Sequence, residues 1–302
     1  MSAGAKDPRS DRAPMTMPRL AEMRQSGEPI VMVTAYDHPS AQVAEAAGVD
    51  LVLVGDTGAM TVLGYESTVP VSMDEMLMLA RAVRRGLRTP LMIGDLPFGS
   101  YEKSNEQAVE SAQRYVKEAG CEAVKLERGG ASVDRARAII RSGIPVMGHV
   151  GLTPQTATQV GGYMAQGRTA ERATQIAEEA LSLQAVGCFA IVFEAVPAAV
   201  TEVLVQKLSV PVIGIGAGLA ADGQVLVFHD LLGIYEGRAP RFVKRYGELK
   251  RDMVAGVSRF ADEVRARRFP RDEHTYSIDP QELESFRRYL DQESLAASAW
   301  DW

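Results

Sequence analysis

A glycine ending a helix-like run, then a short apolar run, then an acid: this pattern recurs along the chain. Copies run from Gly48 through Leu51-Val52-Leu53-Val54 to Asp56, from Gly120 through Ala123-Val124-Lys125-Leu126 to Glu127, and from Gly187 through Ala190-Ile191-Val192-Phe193 to Glu194. A further run, Leu91-Met92-Ile93-Gly94-Asp95, ends the same way after a proline. Strands this apolar are buried on both faces, as in a parallel sheet wrapped by helices. Chemistry in such sheets collects at the carboxyl ends of the strands. Asp56, Asp95, Glu127 and Glu194 are therefore expected to face one another across one site.

The intervening segments read as helices. Ser72 and Glu75 form a capping box ahead of an apolar-periodic stretch, and Ser104 with Gln107 opens another. Further strands are expected at Ile30 to Thr34, Pro145 to His149, Val212 to Ile215 and Gln224 to Phe228. Eight strands in βα alternation favour a closed barrel over an open doubly wound sheet. No early Gly-x-Gly-x-x-Gly opens a helix, which argues against a dinucleotide fold. The expected fold class is α/β, a (β/α)8 TIM barrel with an N-terminal helix across its bottom and a C-terminal helical extension. The chain of 302 residues has the length for it. Residues 1–16, polar and rich in Pro, Arg and Asp, are expected to lack order. Residues 17–273 form the catalytic barrel and 274–302 the extension, with Asp279-Pro280 opening its helix.

The net charge of −6 disfavours nucleic acid and anionic membrane as partners. No apolar run is long enough to span a bilayer. Only two cysteines occur, Cys121 and Cys188, and neither belongs to a Cys-x-x-Cys. A cytoplasmic location is expected.

Asp56, Asp95 and Glu127 supply hard oxygen ligands without thiolate, a set suited to Mg²⁺ or Mn²⁺. Of the 33 basic residues only seven are Lys, so Lys125 inside an apolar strand stands out. Lys125 and Glu127 are two apart and share a strand face. A buried Lys needs a carboxylate or an anionic ligand beside it. His149 ends its strand and suits either orientation of a substrate oxygen or a structural hydrogen bond. Gly214-Ile215-Gly216-Ala217-Gly218 fits a phosphate site or a tight turn against a non-phosphorylated ligand. Two long loops, Thr57 to Val71 and Val150 to Thr169, lie on the catalytic side.

The longer phrases resemble the ketopantoate hydroxymethyltransferase family. They are Thr34-Ala35-Tyr36-Asp37, Val54-Gly55-Asp56, Asp95-Leu96-Pro97-Phe98, Val124-Lys125-Leu126-Glu127 and Gly148-His149-Val150-Gly151-Leu152-Thr153-Pro154-Gln155. Gly161-Gly162-Tyr163, Gln166-Gly167-Arg168, Phe193-Glu194-Ala195-Val196-Pro197 and Asp222-Gly223-Gln224-Val225 continue the series in family order. The resemblance implies a Mg²⁺-dependent barrel and a homo-oligomer, decameric in the family. It also implies transfer of a one-carbon unit from 5,10-methylenetetrahydrofolate to 3-methyl-2-oxobutanoate, through an enolate, giving 2-dehydropantoate. By the same resemblance Asp56, Asp95 and Glu127 hold the metal, Asp56, Thr57, Asp95, Lys125 and His149 contact the oxo acid, and Glu194 accepts the proton. Glu194 stands apart further because its strand offers no second polar group to pair it. Tyr163 and its loop are candidates for contact with the folate.

Three features depart from the family pattern: Thr57 in place of Ser, Arg128 between Glu127 and Gly129-Gly130, and the tail after Glu273. Two other readings compete. A phosphoenolpyruvate mutase or isocitrate lyase relative would share Gly55-Asp56-Thr57-Gly58, but such lyases carry a catalytic Cys after a strand, whereas Cys121 and Cys188 precede theirs. A non-catalytic metabolite-binding barrel is the other.

Overall fold

The computed structural model describes residues 12–156, 164–235, 237 and 240–297. Eight parallel strands close into a barrel in chain order: β1 (Ile30–Thr34), β2 (Leu51–Val54), β3 (Leu91–Asp95), β4 (Ala123–Lys125), β5 (Val146–Gly151), β6 (Ala190–Glu194), β7 (Val212–Ile215) and β8 (Gly223–Leu226). The expected (β/α)8 architecture is present. Helix α1 (Met17–Ser26) precedes β1, with Thr16 capping its start and Gly27 in the left-handed region ending it. Between strands run α2 (His38–Ala47), the short α3 (Gly58–Thr61), α4 (Met73–Arg84), α5 (Asn105–Ala119), α6 (Ala131–Arg141), α7 (Ala170–Ala185) and α8 (Ala198–Val205). A short α9 (Phe228–Leu231) follows β8. Ser72 and Glu75 form the expected capping box on α4.

Apolar side chains fill two layers. Inside the barrel Met32, Leu53, Ile93, Met147, Val192 and Ile213 pack together, and Leu20 and Met23 of α1 join them. Between strands and helices a larger layer includes Val52, Met92, Val124, Ile191, Leu77 and Leu183. Burial of both strand faces is what the unbroken apolar runs require.

Residues 12–16, placed within the unordered segment by sequence, make specific contacts. The Met15 N–H donates to the Thr89 carbonyl at 2.7 Å, and Arg12 pairs with Asp50 at 3.1 Å. Asp50 also accepts from the Val31 N–H. Residues 1–11 lie outside the described residues.

The chain divides into two compact units, Met1–Glu248 and Leu249–Trp302. The boundary expected at 273 falls inside the second unit. That unit contains α10 (Leu249–Arg265), a 3-10 turn at Asp272–His274 and α11 (Pro280–Ala297). Asp279 caps α11 as its sequence suggests, accepting from the Gln281 N–H. Along α10, Met253, Val257, Phe260 and Val264 are exposed at 44–68%.

Candidate active site

Parallel register brings the acids together. Asp95 and Lys125 are direct register partners across β3 and β4, and Gly151 and Glu194 are partners across β5 and β6. Asp56 and Glu127 lie two residues beyond the ends of β2 and β4. All four acids therefore lie at the carboxyl end of the barrel.

Lys125 is the centre of the cluster. Its Nζ is 2.6 Å from Asp95 Oδ1 and 3.8 Å from Glu127 Oε1. Asp95 Oδ2 accepts from the Asp56 N–H at 3.2 Å, which ties the strand-end acid of β2 to that of β3. Tyr115 donates to the Asp95 carbonyl at 2.6 Å. Gly94 makes that approach possible, since a Cβ there would lie 2.5 Å from the Tyr115 ring.

His149 stands between two acids from different strands, with Nδ1 3.4 Å from Glu127 Oε1 and Nε2 3.4 Å from Glu194 Oε2. Neither approach has hydrogen-bond geometry, so these are ion-pair contacts. Glu194 is thus not isolated: its partner comes from the neighbouring strand. It is also the most open of the four acids, its side chain 15% exposed against 1% for Glu127.

Burial shapes the charge states. It pushes the Asp56 carboxyl well up, and repulsion from Asp95 and Glu127 adds to that. Asp95 is also raised, by burial first and by Glu127, although Lys125 opposes the shift. Burial acts upward on Glu127 too, but His149, Lys125 and the Gln155 N–H outweigh it and hold Glu127 below the usual carboxylate range. Burial and the Lys125 charge oppose protonation of His149, yet Glu127 and Glu194 lift its pKa to about 9. Lys125 is held charged against burial by its three carboxylates. The site is rich in buried negative charge, and a cation would relieve it.

Among the described residues no three His, Cys, Asp or Glu side chains converge closely enough to cage an ion unaided. The oxygens present still suit a hard divalent cation completed by water and substrate. Asp56 Oδ2 accepts from Gln155 Nε2 at 3.0 Å, while Oδ1 has no hydrogen-bonding partner among the described residues.

Thr57, half-buried, precedes α3 beside Tyr36, whose hydroxyl is buried without a hydrogen-bond partner among the described residues. Gln155, which nothing in its local sequence marks out, touches two of the acids. Arg128 adopts a left-handed backbone, φ 75°. It is exposed, and its N–H donates to the His149 carbonyl at 2.8 Å. At Gly216 of the glycine-rich loop a Cβ would lie 2.5 Å from the Phe242 ring, so there the backbone approaches a protein side chain. Tyr163 lies outside the described residues.

Residues 14–272 match the family model described as ketopantoate hydroxymethyltransferase. The chain belongs to the ketopantoate hydroxymethyltransferase family. It is 50% identical over 267 residues to a 3-methyl-2-oxobutanoate hydroxymethyltransferase of Moorella thermoacetica, covering 88% of this chain and 99% of that protein. It is 45% identical over 292 residues to the mitochondrial 3-methyl-2-oxobutanoate hydroxymethyltransferase 1 of Oryza sativa, covering 94% of this chain and 80% of that one. Among solved structures, a phosphonopyruvate hydrolase complex with oxalate and Mg²⁺ aligns with TM-score 0.56 at 15% identity, over 94% of this chain and 99% of that one. A 2,3-dimethylmalate lyase aligns with TM-score 0.55 at 15% identity, over 95% of this chain and all of that one, 100%. At such identity the family shares a fold with these enzymes. Cys121 and Cys188 are both buried, and burial pushes the Cys188 thiol up to about 12. Neither is placed or poised as a lyase thiol.

Proposed function

We infer that the chain is a 3-methyl-2-oxobutanoate hydroxymethyltransferase, converting its oxo acid to 2-dehydropantoate with 5,10-methylenetetrahydrofolate as one-carbon donor. The observation that carries the reading is the Asp56, Asp95, Glu127, Lys125, His149 and Glu194 cluster at the carboxyl end of the barrel, in a chain of this family. Asp56, Asp95 and Glu127 would hold a hard divalent cation, proposed to be Mg²⁺. Bound there, such a cation supplies Lewis-acid withdrawal from the oxo acid's keto and carboxylate oxygens.

Lys125 and the protonated His149 oppose the substrate's negative charge and hold it in place. Thr57 offers a hydroxyl at the mouth of the β2 end. Glu194 acts as the base at C3: it is the acid with an open side, and His149 at 3.4 Å fixes its orientation. It takes the C3 proton, leaving an enolate. Water opens the folate's methylene bridge, breaking both C–N bonds to give formaldehyde and tetrahydrofolate; the enolate attacks the formaldehyde carbon, and the resulting alkoxide takes up the proton to become the product hydroxyl. The charges of Lys125 and His149 would offset the negative charge that grows on the oxo acid as the enolate forms.

The test is exchange of the C3 proton with solvent. Glu194→Gln abolishes exchange while metal-dependent binding of 3-methyl-2-oxobutanoate persists. Unimpaired exchange removes Glu194 from the role, and turnover that survives EDTA removes the metal. A cytoplasmic homo-oligomer, decameric by family resemblance, completes the proposal. Its support is the exposed apolar side of α10, and light scattering tests it. Among the described residues no helix is long and apolar enough to cross a membrane.

A further inference from the structure

Gln155 joins acids from two different strands, and the proposed chemistry does not use it. Its residue is 4% exposed, and its polar groups are engaged on every side. The Tyr101 hydroxyl donates to Oε1 at 2.7 Å. Nε2 donates to the Leu96 carbonyl at 2.9 Å and to Asp56 Oδ2 at 3.0 Å. The Gln155 backbone N–H donates to Glu127 Oε2 at 3.1 Å.

The direction of the amide is set from both ends. The Leu96 carbonyl only accepts, so the nitrogen must face it. The Tyr101 oxygen receives the Glu127 N–H at 3.4 Å, which leaves its own proton for Gln155 Oε1. A reversed amide would set its carbonyl against the Leu96 carbonyl and the Asp56 carboxylate. An N–H is therefore always aimed at Asp56 Oδ2, and Asp56 presents Oδ1.

We propose that Gln155 is a positioning residue that restricts Asp56 to one-oxygen coordination, and so selects a small octahedral cation over a larger one. The inference rests on the reading of Asp56, Asp95 and Glu127 as a cation site. Mg²⁺ demands near-ideal octahedral geometry at about 2.0–2.1 Å, whereas Ca²⁺ takes more ligands at about 2.3–2.6 Å and accepts bidentate carboxylates. With Oδ2 turned to the amide, Asp56 coordinates best through Oδ1 alone, because bidentate binding would set the cation against the Nε2 hydrogens. An Asp56 released from Gln155 can turn and offer both oxygens, which favours the larger ion.

The test is calorimetric titration of the metal-stripped, full-length protein with Mg²⁺ alone and with Ca²⁺ alone. Gln155→Met is expected to weaken Mg²⁺ binding by about 10- to 100-fold, the range typical of partners that orient a metal ligand. Ca²⁺ binding is expected to change by less than about threefold, because its flexible shell recovers a second oxygen. Tyr101→Phe removes one of the holds on the amide, loosening Nε2 against Asp56 Oδ2 without reversing it, and shifts the Mg²⁺/Ca²⁺ ratio the same way by a smaller factor. It deletes a single hydroxyl, so it carries the ratio test if Gln155→Met does not fold. An unchanged ratio in a folded variant, including an equal fall for both ions, overturns the role of Gln155. Wild-type protein that binds neither ion overturns the cation-site reading itself.

Discussion

Replacing Lys125 by Met takes the central cation out of a buried cluster and leaves its carboxylates facing one another. Its ammonium lies 2.6 Å from Asp95 Oδ1 and 3.8 Å from Glu127 Oε1. At an effective dielectric near 20 these contacts give attractions of about 6 and about 4 kcal/mol, much of it offset by the cost of burying the ammonium. Removing one partner of a buried pair costs about 3–5 kcal/mol, because the other charge stays buried and uncompensated. The variant is therefore expected to lose about that much stability in EDTA at about pH 8. The acids respond by holding a proton. Asp56 and Asp95 are already raised in the native protein, by burial first, and loss of Lys125 raises them further. An acid with a raised folded pKa binds more protons folded than unfolded. Its favourable contribution is full below about 3.9, the unfolded value, and is lost as pH climbs to the folded value. The slope reaches about 1.4 kcal/mol per pH unit for each proton retained. The deficit of Lys125→Met against wild type should thus shrink from about pH 8 to about pH 5. Urea unfolding in EDTA at both pH values measures it, and added Mg²⁺ should recover part of the loss by supplying positive charge to the same oxygens. A variant within about 0.5 kcal/mol of wild type at the higher pH, or a deficit that ignores pH, would refute the electrostatic account.

Mg²⁺ should raise the unfolding temperature of the wild-type protein over its value in EDTA, by more at higher pH, since protons and cation compete for Asp56 and Asp95; thermal scans at two pH values check this, and a pH-independent increment contradicts it. Gly151 has φ 95°, and a Cβ there would sit 2.3 Å from the Glu194 carbonyl oxygen. Gly151→Ala should therefore cost about 2 kcal/mol or more and slow C3 proton exchange, measured by denaturation and deuterium uptake. Both thiols should resist alkylation in the native protein and label only after unfolding, as mass spectrometry would show, because Cys121 and Cys188 are buried and burial raises their pKa values. Rapid native labelling with loss of activity would reopen a thiol-based chemistry.

What the sequence could and could not reveal follows from the range of each interaction. The eight strands were legible because a parallel strand buried on both faces must be apolar throughout, and the acids stood out where those runs stopped. The pairing of Lys125 with Glu127 was legible as well, since residues two apart on a strand share a face. The partner of Glu194 was not. His149 reaches it because β5 and β6 pair with His149 beside Val192 and Gly151 beside Glu194, and no local pattern encodes that register. Gln155 escaped for the same reason, since its partners are 28 and 99 residues distant along the chain. The helix at Leu249–Arg265 is a different omission. Its Met253, Val257, Phe260 and Val264 recur at helical spacing and could have marked it. Periodicity identifies a helix without saying which surface will cover it, and these side chains are exposed. The strand-end acids thus marked the site's position, whereas its division of labour depends on side chains that parallel pairing and one buried amide bring to them.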